Sequence, residues 1–266
     1  MKKAVFALLV LVMVFSLTAC QSGFIQPDAK VQNPTAQIQL EYTDANDGLK
    51  TVTLQFELRY DKAPITVLNF VKLANEKYYD GLMIDSSTGL GSSSSFTTAL
   101  QYIGAGKYRR QTAESKILVN AQKEKGIDYK IKGEFAANGY DTNDLENAIG
   151  ALVMNRTSGP KNFDTASTEF YISLNAATTN NGNYAVFGQF KSMSGTVQPV
   201  DAEEATTYEE AAGFYDWFLA DMLAMSTASR KLDDGQSVTV PSLFIAITSV
   251  TVDTHGATLP NPPTVK

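Results

Sequence analysis

Ten residues beginning at Thr51 alternate without a break. Val52, Leu54, Phe56, Leu58 and Tyr60 share one side, and Thr53, Gln55, Glu57 and Arg59 share the other. Period two over that length is the signature of a half-buried strand. Ala36–Tyr42 (AQIQLEY) alternates in the same way, and the turn residues Asp44–Gly48 (DANDG) lie between the two runs, which predicts a hairpin. Shorter β-like runs follow at Ala151–Asn155, Glu169–Leu174, Tyr184–Phe190 and Ser242–Val252, with Gly, Asn, Thr and Ser between most of them. Many short strands punctuated by turns point to a mainly β barrel or sandwich. The chain has no GxGxxG, no Walker-type loop and no repeat of 20 to 50 residues.

Two stretches break the β pattern. After Asp61–Pro64, where the proline ends the strand, Val67, Phe70, Val71 and Ala74 form one helical stripe that runs out near Tyr78–Gly81. Tyr208–Met225 places Ala211, Phe214 or Tyr215, Phe218 and Met222 on a second helical face, with Trp217 beside it. Glu203, Glu204, Glu209 and Glu210 would stand at its start, where the helix dipole favours anions. Acids adjacent in sequence at such a place are read as solvated rather than as a catalytic pair. The segment Ser86–Ser95 (SSTGLGSSSS) is a small-residue loop with nothing to bury.

Composition excludes several chemistries. A single cysteine (Cys20) and a single histidine (His255) make a disulfide framework, a thiolate cluster, a His-rich metal site and a Ser-His-Asp triad improbable. The 266 residues carry 22 basic and 28 acidic side chains, a net charge of −6. That balance speaks against a nucleic-acid or anionic-membrane surface, since both need clustered Lys and Arg. Neither a metal nor a cofactor is expected.

Lys2-Lys3 and the apolar run Ala4–Phe15 read as a secretory signal, too short to span a bilayer as a resident helix. Leu17-Thr18-Ala19-Cys20 then resembles the lipobox of bacterial lipoproteins, which implies cleavage before Cys20 and acylation of its thiol, palmitate included. Two acyl chains hold a protein to a membrane where one barely does. The expected organisation is a signal peptide over 1–19, a lipid-anchored tether over 20–34, a folded domain over 35–256 with a helical insertion at 201–232, and a tail over 257–266. The expected location is extracytoplasmic, on the cell-envelope membrane through the lipid anchor.

Three further segments resemble, in order, the cyclophilin family of peptidyl-prolyl isomerases. Leu54–Gly81 (LQFELRYDKAPITVLNFVKLANEKYYDG) is similar to the opening strand, the "APxTVxNF" helix and the "YDG" before the family's active strand. Ile131–Met154 (IKGEFAANGYDTNDLENAIGALVM) resembles its "EF…N…G" stretch, and Ala166–Gly188 (ASTEFYISLNAATTNNGNYAVFG) its "SSQFFI" strand, loop and "GNYAVFG". Ile247–Asp253 (ITSVTVD) is similar to its closing strand. The resemblance implies a closed eight-stranded antiparallel barrel capped by two helices, with the extra helix inserted near 207–226. It also implies rotamase activity on X-Pro bonds in secreted proteins.

The resemblance fails at one place that matters. After "YDG" the family has Phe-His-Arg, whereas this chain has Ile84-Asp85-Ser86, so Ser86 stands at the catalytic arginine. The family glutamine aligns with Gln101, beyond an insertion. The resemblance makes Gln101, Arg156 and Tyr171 the catalytic set and Glu169, Tyr184, Phe187 and Asn155 the substrate-binding set. Tyr171 falls at the family's pocket Phe, while Phe170, Phe187 and Met154 are expected to pack inside the barrel. Arg109 or Arg110 could substitute for the lost cation. The implied activity is a weak isomerase; the alternatives are a non-catalytic peptide-binding or chaperone lipoprotein, and an envelope scaffold docking through the Trp217 helix.

Overall fold

The computed structural model describes residues 23–44, 48–88 and 102–265. Cys20 and Gln101 lie outside the described residues, as does most of the Ser-rich segment. The first strands are the alternating runs of the sequence, β1 (Thr35–Asp44) and β2 (Gly48–Leu58), paired antiparallel with Ile38 opposite Leu54 and Leu40 opposite Val52. Gly48 closes their turn at φ 85°, and a Cβ there would collide with the Gln198 carbonyl. Helix α1 (Pro64–Asn75) follows, then β3 (Leu82–Thr88), β4 (Tyr102–Arg110), β5 (Leu118–Asn120) and the single turn α2 (Ala121–Glu124). Next come β6 (Ala151–Met154), β7 (Phe170–Ser173), β8 (Ala185–Gln198), β9 (Thr206–Ala211), α3 (Asp216–Ala224), β10 (Thr227–Lys231), β11 (Ser237–Pro241) and β12 (Ile245–Asp253).

Eight of these strands close on themselves. The order runs β2-β1-β12-β3-β4-β7-β6-β8, and β8 pairs back onto β2 over Leu49–Leu58, every pairing antiparallel. Closure removes the sheet edges that would otherwise invite aggregation. The barrel interior holds the apolar half of each alternating run: Ile38, Leu40, Val52, Leu54, Phe56, Ile103, Leu152, Phe170, Phe187 and Ile247 are each at most 2% exposed.

A helix covers each end of β2. Helix α1 follows its last residues, with Phe70 set against Tyr79, Phe170 and Phe187 at ring-centroid distances of 5.1, 5.5 and 5.2 Å. Pro64 opens this helix without a side-chain cap on its N-cap residue. The buried Glu134 supplies the acceptors instead, taking hydrogen bonds from the Ile65 and Thr66 amides (2.9 and 2.8 Å) and from Thr66 Oγ1 (2.8 Å). At the other end, α3 inserts Phe218 and Met222 into the core. Its Asp221 accepts from Lys50 Nζ at 2.8 Å and from the Tyr42 hydroxyl at 2.7 Å.

The insertion differs from its sequence reading. Instead of one helix over Tyr208–Met225, residues Thr206–Ala211 form β9 on the extended arm of β8, and the helix begins at Asp216. The run TTYEEA suits a strand, and β8, fourteen residues long, continues past Phe190 to offer it an edge. Glu209 and Glu210 therefore lie on a strand, and Asp216 is the acid in the first helical turn. The 201–232 segment is a mixed strand–helix excursion that ends in β10. That strand pairs with β11 as a separate two-stranded ribbon.

Candidate functional site

Period two puts the barrel's other face to work. Ser86 pairs with Gly104, Gly104 with Tyr171, Tyr171 with Val153 and Val153 with Val186, giving one row across β3, β4, β7, β6 and β8. Their sequence neighbours Ile103, Phe170, Ile172, Leu152 and Phe187 point into the barrel core, so the row lies on the outside. Tyr171, Val153, Val186 and Ala151 form an apolar cluster of their own there, with Tyr102, Leu145 and Tyr184 packed against it.

Gly104 is what brings Ser86 toward Tyr171. A Cβ at Gly104 would collide with Ser86 Oγ, and would stand 3.1 Å from the Phe170 carbonyl and 3.4 Å from Tyr171 Cβ. Between them lies a bulge, because Ile84 pairs with Ala105 and Ser86 with the next residue, Gly104. Asp85 is the extra residue. Its carboxylate turns back to accept from the Lys107 and Tyr108 amides, at 2.9 and 3.1 Å. Burial, with the nearby Glu169 charge adding to it, pushes its pKa up to about 7.

Tyr171 is only 4% exposed. The Tyr102 ring lies over it with centroids 4.6 Å apart and planes tilted by 35°, and Tyr184 meets it edge-on at 6.2 Å. Below, Asn147 Nδ2 donates to the Tyr171 hydroxyl at 2.6 Å, while Ser173 Oγ donates to Asn147 Oδ1. Burial raises the Tyr171 phenol well above its ordinary pKa. The buried Tyr171 hydroxyl thus has side-chain polar partners in Asn147 and Asn180.

The other sequence-selected residues divide. Arg156 borders the tyrosines: its guanidinium sits 4.6 Å from the Tyr184 ring centre and 5.2 and 5.3 Å from those of Phe135 and Phe163. Its donors go to the carbonyls of Asn183, Thr157 and Gly159. Glu169 is half-buried at the edge, 3.7 Å from Lys107 Nζ, and its carbonyl accepts from the Asn155 amide. Phe187 is not at a substrate surface. It is fully buried inside the barrel against Phe70, because the inward phase of β8 claims it while Val186 points out.

Arg109 and Arg110 are both engaged by other groups. Arg109 pairs with Glu124 on α2, which raises its pKa, and Arg110 lies 3.6 Å over the Phe244 ring. Sequence reasoning passed over Tyr102, Asn147 and Lys107. Tyr102 carried a readable signal, since it shares strand parity with Gly104. Asn147 had none, because its role depends on a loop folding under β7.

A family model described as cyclophilin type peptidyl-prolyl cis-trans isomerase/CLD matches residues 43–212. A solved cyclophilin type peptidyl-prolyl cis-trans isomerase of Cryptosporidium parvum is similar at 16% identity, over 84% of this chain and 98% of that one, with a TM-score of 0.47. The same isomerase solved in the presence of the dipeptide Ala-Pro is similar at 15% identity, over 81% and 98%, with a TM-score of 0.43. No curated protein sequence matches the chain. The family model spans well over half of the residues, from the end of β1 to the end of β9, and with it the whole row from Ser86 to Val186: this chain belongs to the cyclophilin-type peptidyl-prolyl cis-trans isomerase family.

Proposed function

We propose that this protein is an extracytoplasmic folding factor that engages proline-containing segments of secreted chains and isomerises them slowly. The observation that carries this reading is the Ser86–Gly104–Tyr171 row on the outer barrel face. Rotation about an X-Pro bond breaks amide resonance against a barrier of about 18–20 kcal/mol. A catalyst lowers it by holding the prolyl ring against an apolar wall and by favouring the twisted amide through a donor to the prolyl nitrogen. Tyr171 and Tyr184 supply the wall. A serine stands where the family's cation would, and its short neutral hydroxyl cannot reproduce a guanidinium's reach or charge. The three neighbouring arginines are engaged with Glu124, Phe244 and the carbonyls around Arg156.

Losing one electrostatic donor of this kind typically costs roughly 10²–10³ in rate. A protease-coupled assay on an Ala-Pro peptide should find turnover lower than that of an arginine-bearing cyclophilin by about that factor. Equal turnover would end the reading. The second reading, peptide holding without turnover, draws on Tyr102, which covers Tyr171 and must give way before a prolyl ring can enter. Peptide binding with no measurable exchange would select it.

The membrane address rests on the lipobox-like Leu17–Cys20. Metabolic labelling with palmitate should mark the wild-type chain in a bacterial host and leave Cys20→Ser unlabelled. Label retained by the variant would rule the anchor out.

A further inference from the structure

Three cations stand around one small cleft on the flank of the barrel. Arg110 at the end of β4, Lys116 in the following loop and Arg230 on β10 line it, together with the hydroxyl residues Ser115 and Ser242. Phe244 and Met83 form its apolar wall, and its volume is about 80 Å³. None of its lining residues belongs to the tyrosine face, and none is acidic.

In a chain of net charge −6 this concentration of positive charge calls for a cause. Arg110 is held in place from two sides, by its stacking on Phe244 and by its hydrogen bond to the Ala113 carbonyl. Burial and the nearby Arg230 charge both act against its protonated form, while Glu114 favours it. Glu114 and Glu41 line an adjoining cleft that shares Arg110, Ser242 and Phe244 with this one. Among the described residues, Lys116 and Arg230 form no ion pair. Two guanidiniums and an ammonium around one cavity repel one another unless an anion sits between them.

Size and donor chemistry narrow the anion. At about 30 Å³ per water, the space takes a few waters or one tetrahedral oxyanion. Guanidiniums match phosphate oxygens with paired N–H donors, and a lysine adds a point charge. Ser115 Oγ accepts from the Ile117 amide at 2.9 Å, which leaves its own proton to donate. Three cations suit a dianion better than a single carboxylate.

We infer that this cleft binds a phosphate-class dianion, clamped by Arg110 and Arg230 and neutralised further by Lys116. The phosphate has two sources, free inorganic phosphate and the headgroup of an anionic lipid.

Calorimetric titration of the purified full chain with inorganic phosphate tests the site. One saturable equivalent is expected, weakened at least tenfold in Arg230→Gln and in Lys116→Gln and unchanged in the remote control Lys161→Gln. Both test residues lie outside the barrel core, and unchanged thermal melts would show that the variants fold. Flotation of the unanchored Cys20→Ser chain with phosphatidylcholine vesicles, with and without phosphatidic acid, separates the sources. Binding that needs phosphatidic acid and is competed by inorganic phosphate assigns the headgroup; phosphate binding without such flotation assigns the soluble ion. No saturable phosphate binding, or binding indifferent to both Arg230→Gln and Lys116→Gln, overturns the inference.

Discussion

Ser86 and Tyr171 face the same way from β3 and β7, separated only by the side-chain gap at Gly104, two strand spacings or about 10 Å apart. Gly104 leaves open the space into which the serine hydroxyl projects. A longer side chain at position 86 would project along the outer face, over the tyrosines. On the proposed reading, this is a donor-and-wall arrangement with the donor shortened to a hydroxyl.

Tyr102 is the residue that stands between the wall and a ligand. Its ring covers Tyr171 at 4.6 Å and is itself half-buried there. Tyr102→Ala should uncover Tyr171 and tighten binding of an Ala-Pro peptide several-fold, read by fluorescence titration. Weaker binding in the variant would show that Tyr102 is part of the ligand surface and not its cover.

Asn147 holds the floor from beneath. It is 1% exposed and satisfies the hydroxyls of both Tyr171 and Ser173. Asn147→Leu removes the acceptor of Ser173 and one of two side-chain partners of Tyr171, and a buried hydroxyl left unpaired costs about 1–3 kcal/mol. Urea denaturation should show a loss in this range, and Tyr171→Phe in the same background should recover part of it. Full stability of Asn147→Leu would contradict the network.

The fold read most clearly where period and burial coincide. The alternation of Val52–Tyr60 is the alternation of the barrel wall, and Phe70 and Val71 are the buried stripe of α1. It read least well where an available strand edge overrode a helical spacing, as at Tyr208, and at Phe187, where only the register of β8 decides which face a side chain takes. Of the proposed site, Ser86, Tyr171 and Tyr184 stand within motif-like runs of the sequence. Asn147 and Tyr102 acquire their roles through tertiary contacts that no local pattern records.

Stability should depend on pH in a defined direction. Burial raises the Glu134 carboxyl to about 7 despite its three donors, and Asp85 to about 7 as well. A carboxyl whose folded pKa lies above its unfolded value contributes stability that is complete below the unfolded pKa, near 4, and is lost as pH rises through the folded one. The urea midpoint should therefore fall between pH 5 and pH 8. Glu134→Gln, which cannot ionise, should flatten the slope; a midpoint rising over that interval would reverse the assignment.

The most direct measurement is cis–trans exchange of an Ala-Pro peptide followed by NMR, with the wild-type chain and Ser86→Arg side by side. The barrel with its tyrosine wall and missing cation predicts slow exchange by the wild type and a gain of tenfold or more in Ser86→Arg, short of the full 10²–10³ while Tyr102 still covers Tyr171. Wild-type exchange as fast as that of an arginine-bearing cyclophilin, with no gain on restoring the arginine, would contradict it.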